Sequence, residues 1–382
     1  MEPARTIDFP VAIIGAGPAG LAVGACLQRR KIPCEIFERS DRIAPAWHGH
    51  YRRLHLHTPK ESSGLPHQPF PADYPRYPSR QQVVDYLENY AATFELRPRF
   101  NEEVTAVHPL DAHRWELVTS KATYVANAVV IANGLGCDRS LPTWPGIDEF
   151  SGRIVHSREY VAGDSYRGQR VLVVGFGNSA AEIAIDLWEH GATPSMSVRS
   201  PATIIPRDLL GIPIVTIARA FSFLPATWVD FFFRPILRAV MGDLRAFGIQ
   251  TPIDGPMVQV QKSSRVPVLD IGTVQLIRDG KVKVMPGIQR ITKEGIVFEN
   301  GTTARFDTII LATGLRPRLD FLKVGQSSIW QREPKTIPTK GRAALPGLYF
   351  CGFHVPATGM LREIATEARH IAIGIAGSHR AD

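Results

Sequence analysis

The chain has 382 residues, 44% of them apolar, which is room for two globular domains of ordinary size. Lys and Arg exceed Asp and Glu by eight, which helps attract anionic ligands, but the charges are scattered and no basic run is interleaved with aromatics, so nucleic acid is not an expected partner. Cys26, Cys34, Cys137 and Cys351 stand far apart with no C-x-x-C pair, which argues against a zinc ribbon or a redox-active dithiol and reads as buried thiols in a reducing compartment.

Met1 to Pro10 carries charges and no apolar h-region, so no secretory leader is expected. Val11–Ile14 reads as a buried strand and Pro18 to about Arg30 as a helix, joined by Gly15-Ala-Gly-Pro-Ala-Gly20. A G-x-G-x-x-G turn in that setting binds a dinucleotide. Gly15 allows the tight turn, Gly17 lets backbone N–H groups approach a pyrophosphate, and Gly20 lets the helix pack closely on the sheet. The helix N-terminus, opened by Pro18 and Ala19, favours the anion through its free N–H groups and its dipole. The next strand, Cys34 to Glu38, ends in a carboxylate 23 positions after Gly15, where an acid accepts hydrogen bonds from a ribose.

Arg42 to Pro78 reads as a long irregular segment holding Trp47 and several His, and a loop of that length is usually functional. Gln81 to Ala92 has helical spacing. Val104 and Val107 mark a strand, and Trp115–Thr119 with Tyr124–Ala132 form a hairpin-like pair ending at Ala132-Asn133-Gly134.

Arg170–Val174 starts a second unit of the same kind, with the turn Gly175-Phe-Gly-Asn-Ser-Ala180. Ala180 at the third glycine position still permits close packing. The second strand here, Ser195–Val198, ends in Arg199-Ser200 without an acid. An acid would select a free ribose 2′-hydroxyl, whereas Arg199 pairs with a 2′-phosphate, so NADPH is expected over NADH.

Leu209 to Ile249 reads as the apolar core of a helical insert spanning about 205–250, with Trp228 and the cluster Phe231-Phe-Phe233. Arg219, Asp230, Arg234 and Arg238 interrupt it, so no run reaches the roughly 20 residues needed to cross a bilayer. Lining a substrate entrance, touching a membrane surface and packing in a homodimer all stay open, with packing the default. Val266–Gly272 returns to a strand and a turn. Ile296–Gly301 ends in an Asn-Gly hairpin signal, and Phe306–Gly314 repeats the pattern of Tyr124–Gly134. Gly347–Phe353 is a strand and turn, and Thr358–Gly377 a final helix. The expected fold is α/β with two doubly wound, Rossmann-like dinucleotide-binding domains, residues 166–309 being inserted between 1–165 and 310–382.

Between the two glycine turns lies Phe150-Ser-Gly-Arg-Ile-Val-His-Ser-Arg-Glu-Tyr160, which reads F-x-G-x-x-x-H-x-x-x-Y. With both turns it resembles the fingerprint of the class B flavin-containing monooxygenases. Tyr51–Lys60, Phe70–Ser79 and Val266–Gly272 resemble the YUCCA, or indole-3-pyruvate monooxygenase-like, branch, while Phe353–Ala357 departs from the plant pattern. The resemblance implies FAD in the first domain, on Gly15, Gly17, Pro18, Ala19, Gly20, Glu38, Arg39, Trp47, Val104, Ala132, Gly352 and Phe353. It implies NADPH in the inserted domain, on Gly175, Gly177, Asn178, Ser179, Ala180, Arg199, Ser200, Ala312, Thr313 and Gly314, with Asn178 also positioning the nicotinamide. Many relatives carry Asn three positions before Lys60. Here that position is His57, as in the YUCCA pattern, which makes His57 the candidate catalytic residue. His156 and Tyr160 are expected to stabilise the linker and cofactor site rather than transfer protons.

The implied activity is a cytoplasmic NADPH- and FAD-dependent monooxygenase that forms a C4a-(hydro)peroxyflavin and passes one oxygen atom from O2 to a small organic substrate. An arylpyruvate such as indole-3-pyruvate, or an amine or thioether, fits that chemistry. A ketone fits less well, because Tyr160 replaces the Trp associated with Baeyer–Villiger relatives. A reductase or NADPH oxidase without oxygen transfer, and a non-catalytic redox sensor, are the other readings. No metal cluster is nominated.

Overall fold

A computed structural model describes residues 7–112, 114–263, 266–338 and 340–378. Residues 1–6, on which the expectation of no leader partly rests, lie outside them. The chain divides into one unit of residues 1–48, 58–138 and 315–382, and another of 49–57 and 139–314. The sequence reading put its boundaries at 165/166 and 309/310. The earlier crossing has a physical cause: the fingerprint strand Arg153–His156 pairs parallel with Thr308–Leu311, so it belongs to the second sheet.

The first unit is built on β1 (Ile7–Ile14), α1 (Pro18–Gln28), β2 (Cys34–Phe37), β3 (Val104–Pro109), β4 (Trp115–Thr119) and β5 (Thr123–Ile131). The sheet order is β2-β1-β5-β4-β3. Its parallel centre is covered on both faces, which is why Val11-Ala-Ile13 and Val129-Val-Ile131 are continuous apolar runs with no exposure. On its edge away from β1, strand β5 serves two partners: Thr123–Ala126 pairs antiparallel with β4, and Val129–Ile131 pairs parallel with Leu348–Phe350. Every residue of α1 from Ala19 to Leu27 is buried, so its Ala, Gly and Leu content reflects packing rather than a polar face. The helix Arg80–Thr93 starts at a capping box between Ser79 and Gln82.

The second unit holds a five-stranded parallel sheet in the order Lys283–Met285, Thr193–Ser197, Arg170–Val174, Thr308–Leu311, Arg153–His156. A separate antiparallel sheet joins Ile288–Thr292, Gly295–Phe298 and Thr303–Ala304, the last two through the predicted Asn300-Gly301 turn. The internal repeat is therefore imperfect. In the first unit one strand, β5, does the work that Thr303–Ala304 and Thr308–Leu311 share in the second.

The insert differs from an all-helical reading. Ile204–Pro206 pairs parallel with Val268–Asp270, and a small hairpin joins Asp208–Leu209 to Ile212–Pro213 before the helices Ile214–Ala220 and Ala226–Met241 begin. Leu210 and Gly211 both have positive φ, +50° and +79°, the signature of a two-residue turn matched to strand twist. The thiols also divide. Cys26 and Cys351 are buried as expected, but Cys34, on the edge strand β2, and Cys137, in the loop after β5, are half-buried. Among the described residues no helix is long and apolar enough to cross a membrane.

Candidate functional site

The two glycine turns are the same device built twice. Gly15 N–H donates to the Phe37 carbonyl at 2.8 Å, and Gly175 N–H to the Ser197 carbonyl at 2.9 Å. A Cβ on Gly15 would lie 2.7 Å from the Ala132 carbonyl oxygen, and one on Gly175 2.6 Å from that of Ala312. Both glycines have φ near +110° (+109° and +112°), so each turn is locked against the end of a neighbouring strand. A Cβ on Gly17 or Gly177 would meet nothing within 4 Å. Those positions face open space, and each caps a helix with no side-chain cap and no acid in its first turn. The N-terminal N–H groups are left for an anion. The third position is where the copies differ. A Cβ on Gly20 would lie 1.9 Å from the Gly15 carbonyl oxygen, whereas Ala180 is accommodated and fully buried.

In the first unit the carboxylate predicted to hold a ribose stands beside its turn. Glu38 is 6% exposed, and its two oxygens accept the N–H groups of Ala16 and Ser40, each at 2.9 Å. Each oxygen keeps a lone pair for a hydroxyl donor. The chain after β2 folds back on the turn through Ala44 N–H to the Ala16 carbonyl, which carries half-buried Trp47 into the short helix Pro45–His48. Gly352 reaches the same place from the far end of the chain: a Cβ there would lie 3.2 Å from Ala19 Cβ. Val104 and Phe353 are buried in one apolar cluster with Phe37 and Ile131. Arg39 is exposed. An uncapped helix end, a cradle open at Gly17 and a carboxylate with spare acceptor capacity fit the pyrophosphate and ribose of FAD.

Behind Gly352 lies a group that sequence reasoning passed over. Glu367 is 1% exposed; its Oε2 accepts the Gly352 N–H at 2.8 Å and its Oε1 the Lys340 N–H at 3.4 Å. Burial pushes its carboxyl up to about 7.

In the second unit Arg199 and Ser200 are exposed at the end of Thr193–Ser197 and line a cavity of about 650 Å³. Lys283, which pairs in register with Ser195, lines it too. Two cations lining one cavity suit the 2′-phosphate of NADPH. The sequence reading missed Lys283, because only the folded sheet, with Lys283 opposite Ser195, brings it to the cavity that Arg199 lines. Thr313 Oγ1 donates to the Ser140 carbonyl, and the Gly314 carbonyl accepts the Ser140 N–H at 3.1 Å, so that turn is held by the chain entering the unit.

The helix Asn178–Glu189 carries the least expected feature. Asn178, Glu182, Asp186 and the following His190 recur every four residues, a polar stripe on a helix otherwise packed in the core. Asn178 clamps backbone, its Nδ2 donating to the Pro267 carbonyl at 3.3 Å and its Oδ1 accepting the Leu269 N–H at 2.8 Å. Glu182, 2% exposed, is hydrogen-bonded through Oε1 to His57 Nε2. The buried Tyr51 hydroxyl interacts with Ser179 and Glu182, and burial and the neighbouring Glu182 charge raise its pKa well above the ordinary tyrosine range. Asp186 accepts the Tyr160 hydroxyl at 2.6 Å and the Gly163 N–H at 2.9 Å. The four-residue spacing of these polar groups was visible in the sequence and is the signal that could have found Glu182.

The two fingerprint residues are structural in geometry. Tyr160 is 1% exposed and stacks on Tyr166 at 5.5 Å; burial and the Asp186 bond raise its pKa far out of the working range. His156 is 2% exposed. Its Nδ1 accepts the Arg158 N–H, leaving the proton on Nε2, which has no well-formed partner. Burial lowers its pKa, so the ring stays neutral.

The family described as flavin-binding monooxygenase-like matches residues 9–337. The chain is 39% identical over 358 residues to the probable indole-3-pyruvate monooxygenase YUCCA4 of Arabidopsis thaliana, covering 92% of this chain and 87% of that one. It is 39% identical over 350 residues to the indole-3-pyruvate monooxygenase YUCCA1 of Oryza sativa subsp. japonica, covering 89% and 86%. Among solved structures, an oxidized steroid monooxygenase bound to NADP superposes with a TM-score of 0.79 at 20% identity, covering 98% of this chain and 86% of that one. At that identity the superposition shows the fold, two Rossmann-like units of the kind expected from the sequence.

Proposed function

The chain belongs to the flavin-binding monooxygenase-like family, and from that premise we propose that it catalyses the oxidative decarboxylation of an arylpyruvate, such as indole-3-pyruvate, to the arylacetate. It is an FAD- and NADPH-dependent enzyme that uses O2. The reaction consumes arylpyruvate, NADPH, O2 and a proton, and yields arylacetate, carbon dioxide, NADP+ and water. The observation that carries the substrate is the likeness to the two plant indole-3-pyruvate monooxygenases over 92% and 89% of this chain.

Bound FAD supplies hydride acceptance from NADPH and the activation of O2. The residues supply binding and proton control. In this reading the N–H groups at Gly17, Ala19 and Gly20 hold the FAD pyrophosphate and Glu38 its ribose. The Gly175–Ala180 turn holds the NADPH pyrophosphate, and Arg199, Ser200 and Lys283 its 2′-phosphate. Asn178 positions the nicotinamide end indirectly, by fixing the backbone at Pro267 and Leu269.

An arylpyruvate presents an electrophilic keto carbon, so the oxidant must meet it deprotonated and nucleophilic. Amines and thioethers demand the opposite. His57 is the residue we assign to that choice. Its Nε2 is committed to buried Glu182, which leaves Nδ1 as the ring atom able to exchange a proton.

The test is to reduce the enzyme anaerobically with NADPH, then mix it with O2 and, separately, indole-3-pyruvate, phenylpyruvate, a tertiary amine and a thioether. Arylacetate from the keto acids and no product from the others supports the assignment. An N-oxide or sulfoxide without arylacetate replaces it with N- or S-oxygenation. Hydrogen peroxide alone with all four makes the protein an NADPH oxidase.

A further inference from the structure

The insert of the second unit leaves an apolar face uncovered. The helix Ala226–Met241 turns Ala226, Val229, Asp230 and Met241 inward. Its opposite face shows Trp228 at 60%, Phe231 at 73% and Phe232 at 59% exposure. Phe223, at 78%, and Leu210, at 96%, extend the exposed apolar surface of the same insert. Isolated apolar residues on a surface need no explanation, but a helix face of aromatics does.

The charges of this stretch say what covers it. Asp230 is the one acid between Leu209 and Gly242, and it is 6% exposed. Its carboxylate accepts the N–H groups of Met257 and Val258 at 3.0 and 2.9 Å, capping the next helix. The exposed charges of the stretch are therefore all cations: Arg219, Arg234 and Arg238. Arg234 and Arg238 lie one turn apart on a flank of the aromatic face. The helix itself offers no exposed carboxylate, and Asp243, just past its end beside Arg238, is already paired with Arg245, so a second copy on the same face would set these arginines against one another. An anionic bilayer surface accepts both components, aromatic rings at headgroup depth and guanidinium groups among phosphates.

We propose that residues 209–242 are an interfacial anchor that lays the helix Ala226–Met241 in the headgroup layer of an anionic membrane without crossing it. Aromatic side chains supply the insertion and the arginines the preference for negative lipid. The anchor stands independently of the substrate.

The experiment is sedimentation of the FAD-loaded full chain with vesicles of phosphatidylcholine alone and of phosphatidylcholine mixed with phosphatidylglycerol. Sedimentation with the anionic vesicles, weakened by high salt, is expected. The triple variant Trp228→Ser, Phe231→Ser, Phe232→Ser should stay in the supernatant while oxidising NADPH at the parent's rate. Arg219→Gln with Arg238→Gln should weaken partition by roughly 25-fold, about fivefold per cation removed. Equal binding to both vesicles, no binding to either, or a triple variant that sediments like the parent overturns the proposal. So does a parent dimer, seen by light scattering, that the triple variant turns into a monomer.

Discussion

His57 and Glu182 stand 125 positions apart and are joined by a hydrogen bond from ring Nε2 to carboxylate Oε1. Glu182 is buried, so removing the imidazole leaves a buried carboxylate with one hydrogen-bond partner fewer. His57→Ala should lower stability by about 1–3 kcal/mol. It should also reduce arylacetate formation by roughly 10²–10⁴-fold, the usual contribution of a positioned acid or base, with FAD content and the rate of flavin reduction by NADPH unchanged. His57→Asn should keep more of the stability and raise amine or thioether oxygenation relative to arylacetate. Full arylacetate turnover in both variants would remove His57 from the chemistry.

Gly17 separates cofactor binding from folding. Its backbone is extended, with φ −82° and ψ −174°, and an added Cβ meets no protein atom within 4 Å. Gly17→Val should therefore fold, with a far-ultraviolet circular dichroism spectrum like the parent's, yet be colourless because the side chain occupies the place of the pyrophosphate. Gly20→Ala drives a methyl into the Gly15 carbonyl and should fail to fold. A yellow Gly17→Val protein would reject the FAD assignment.

In the proposed reading, coenzyme choice rests on Arg199 and Lys283. A charge-assisted pair to a phosphate contributes about 1.5–3 kcal/mol, so Arg199→Ala should raise the KM for NADPH roughly tenfold or more and leave that for NADH nearly unchanged. Lys283→Ala should act in the same direction. Equal losses with both coenzymes would place these residues outside the 2′-phosphate site.

Glu367 gives stability a defined pH dependence. Its folded pKa of about 7 lies above the ordinary carboxylate value, so the folded chain binds this proton more tightly than the unfolded one. Stability from this group is fully present below about pH 4 and falls as pH rises through 7, by on the order of 3 kcal/mol. His156, with its lowered pKa, contributes the opposite slope, so the comparison is between parent and Glu367→Gln. Urea midpoints from pH 5 to 8 should show the variant gaining on the parent as pH rises. Parallel curves for the two proteins would contradict the shift.

The parts of this fold legible in the sequence are those written in local code. The glycine turns, the buried apolar strands, Glu38 at the end of β2 and the Asn300-Gly301 hairpin each follow from residue type at fixed spacing. What escaped depends on long-range pairing. Residues 49–57 read as part of the first domain's irregular loop, yet they group with the second unit, where Arg52 N–H donates to the Val161 carbonyl and His57 meets Glu182. Lys283 comes to line the same cavity as Arg199 only through the pairing of strands far apart in the chain. The hairpin at Leu210-Gly211 was hidden because Leu is a poor marker for positive φ, where Asn or Asp would have announced the turn.

Oxygen transfer to an arylpyruvate is measured by turnover with NADPH, indole-3-pyruvate and isotopically labelled O2, with mass analysis of the indole-3-acetate formed and a parallel assay of NADPH consumed. One labelled oxygen atom is expected in each arylacetate carboxylate, with one NADPH oxidised per arylacetate. Unlabelled arylacetate, or NADPH oxidation matched by hydrogen peroxide with no arylacetate, would contradict that transfer.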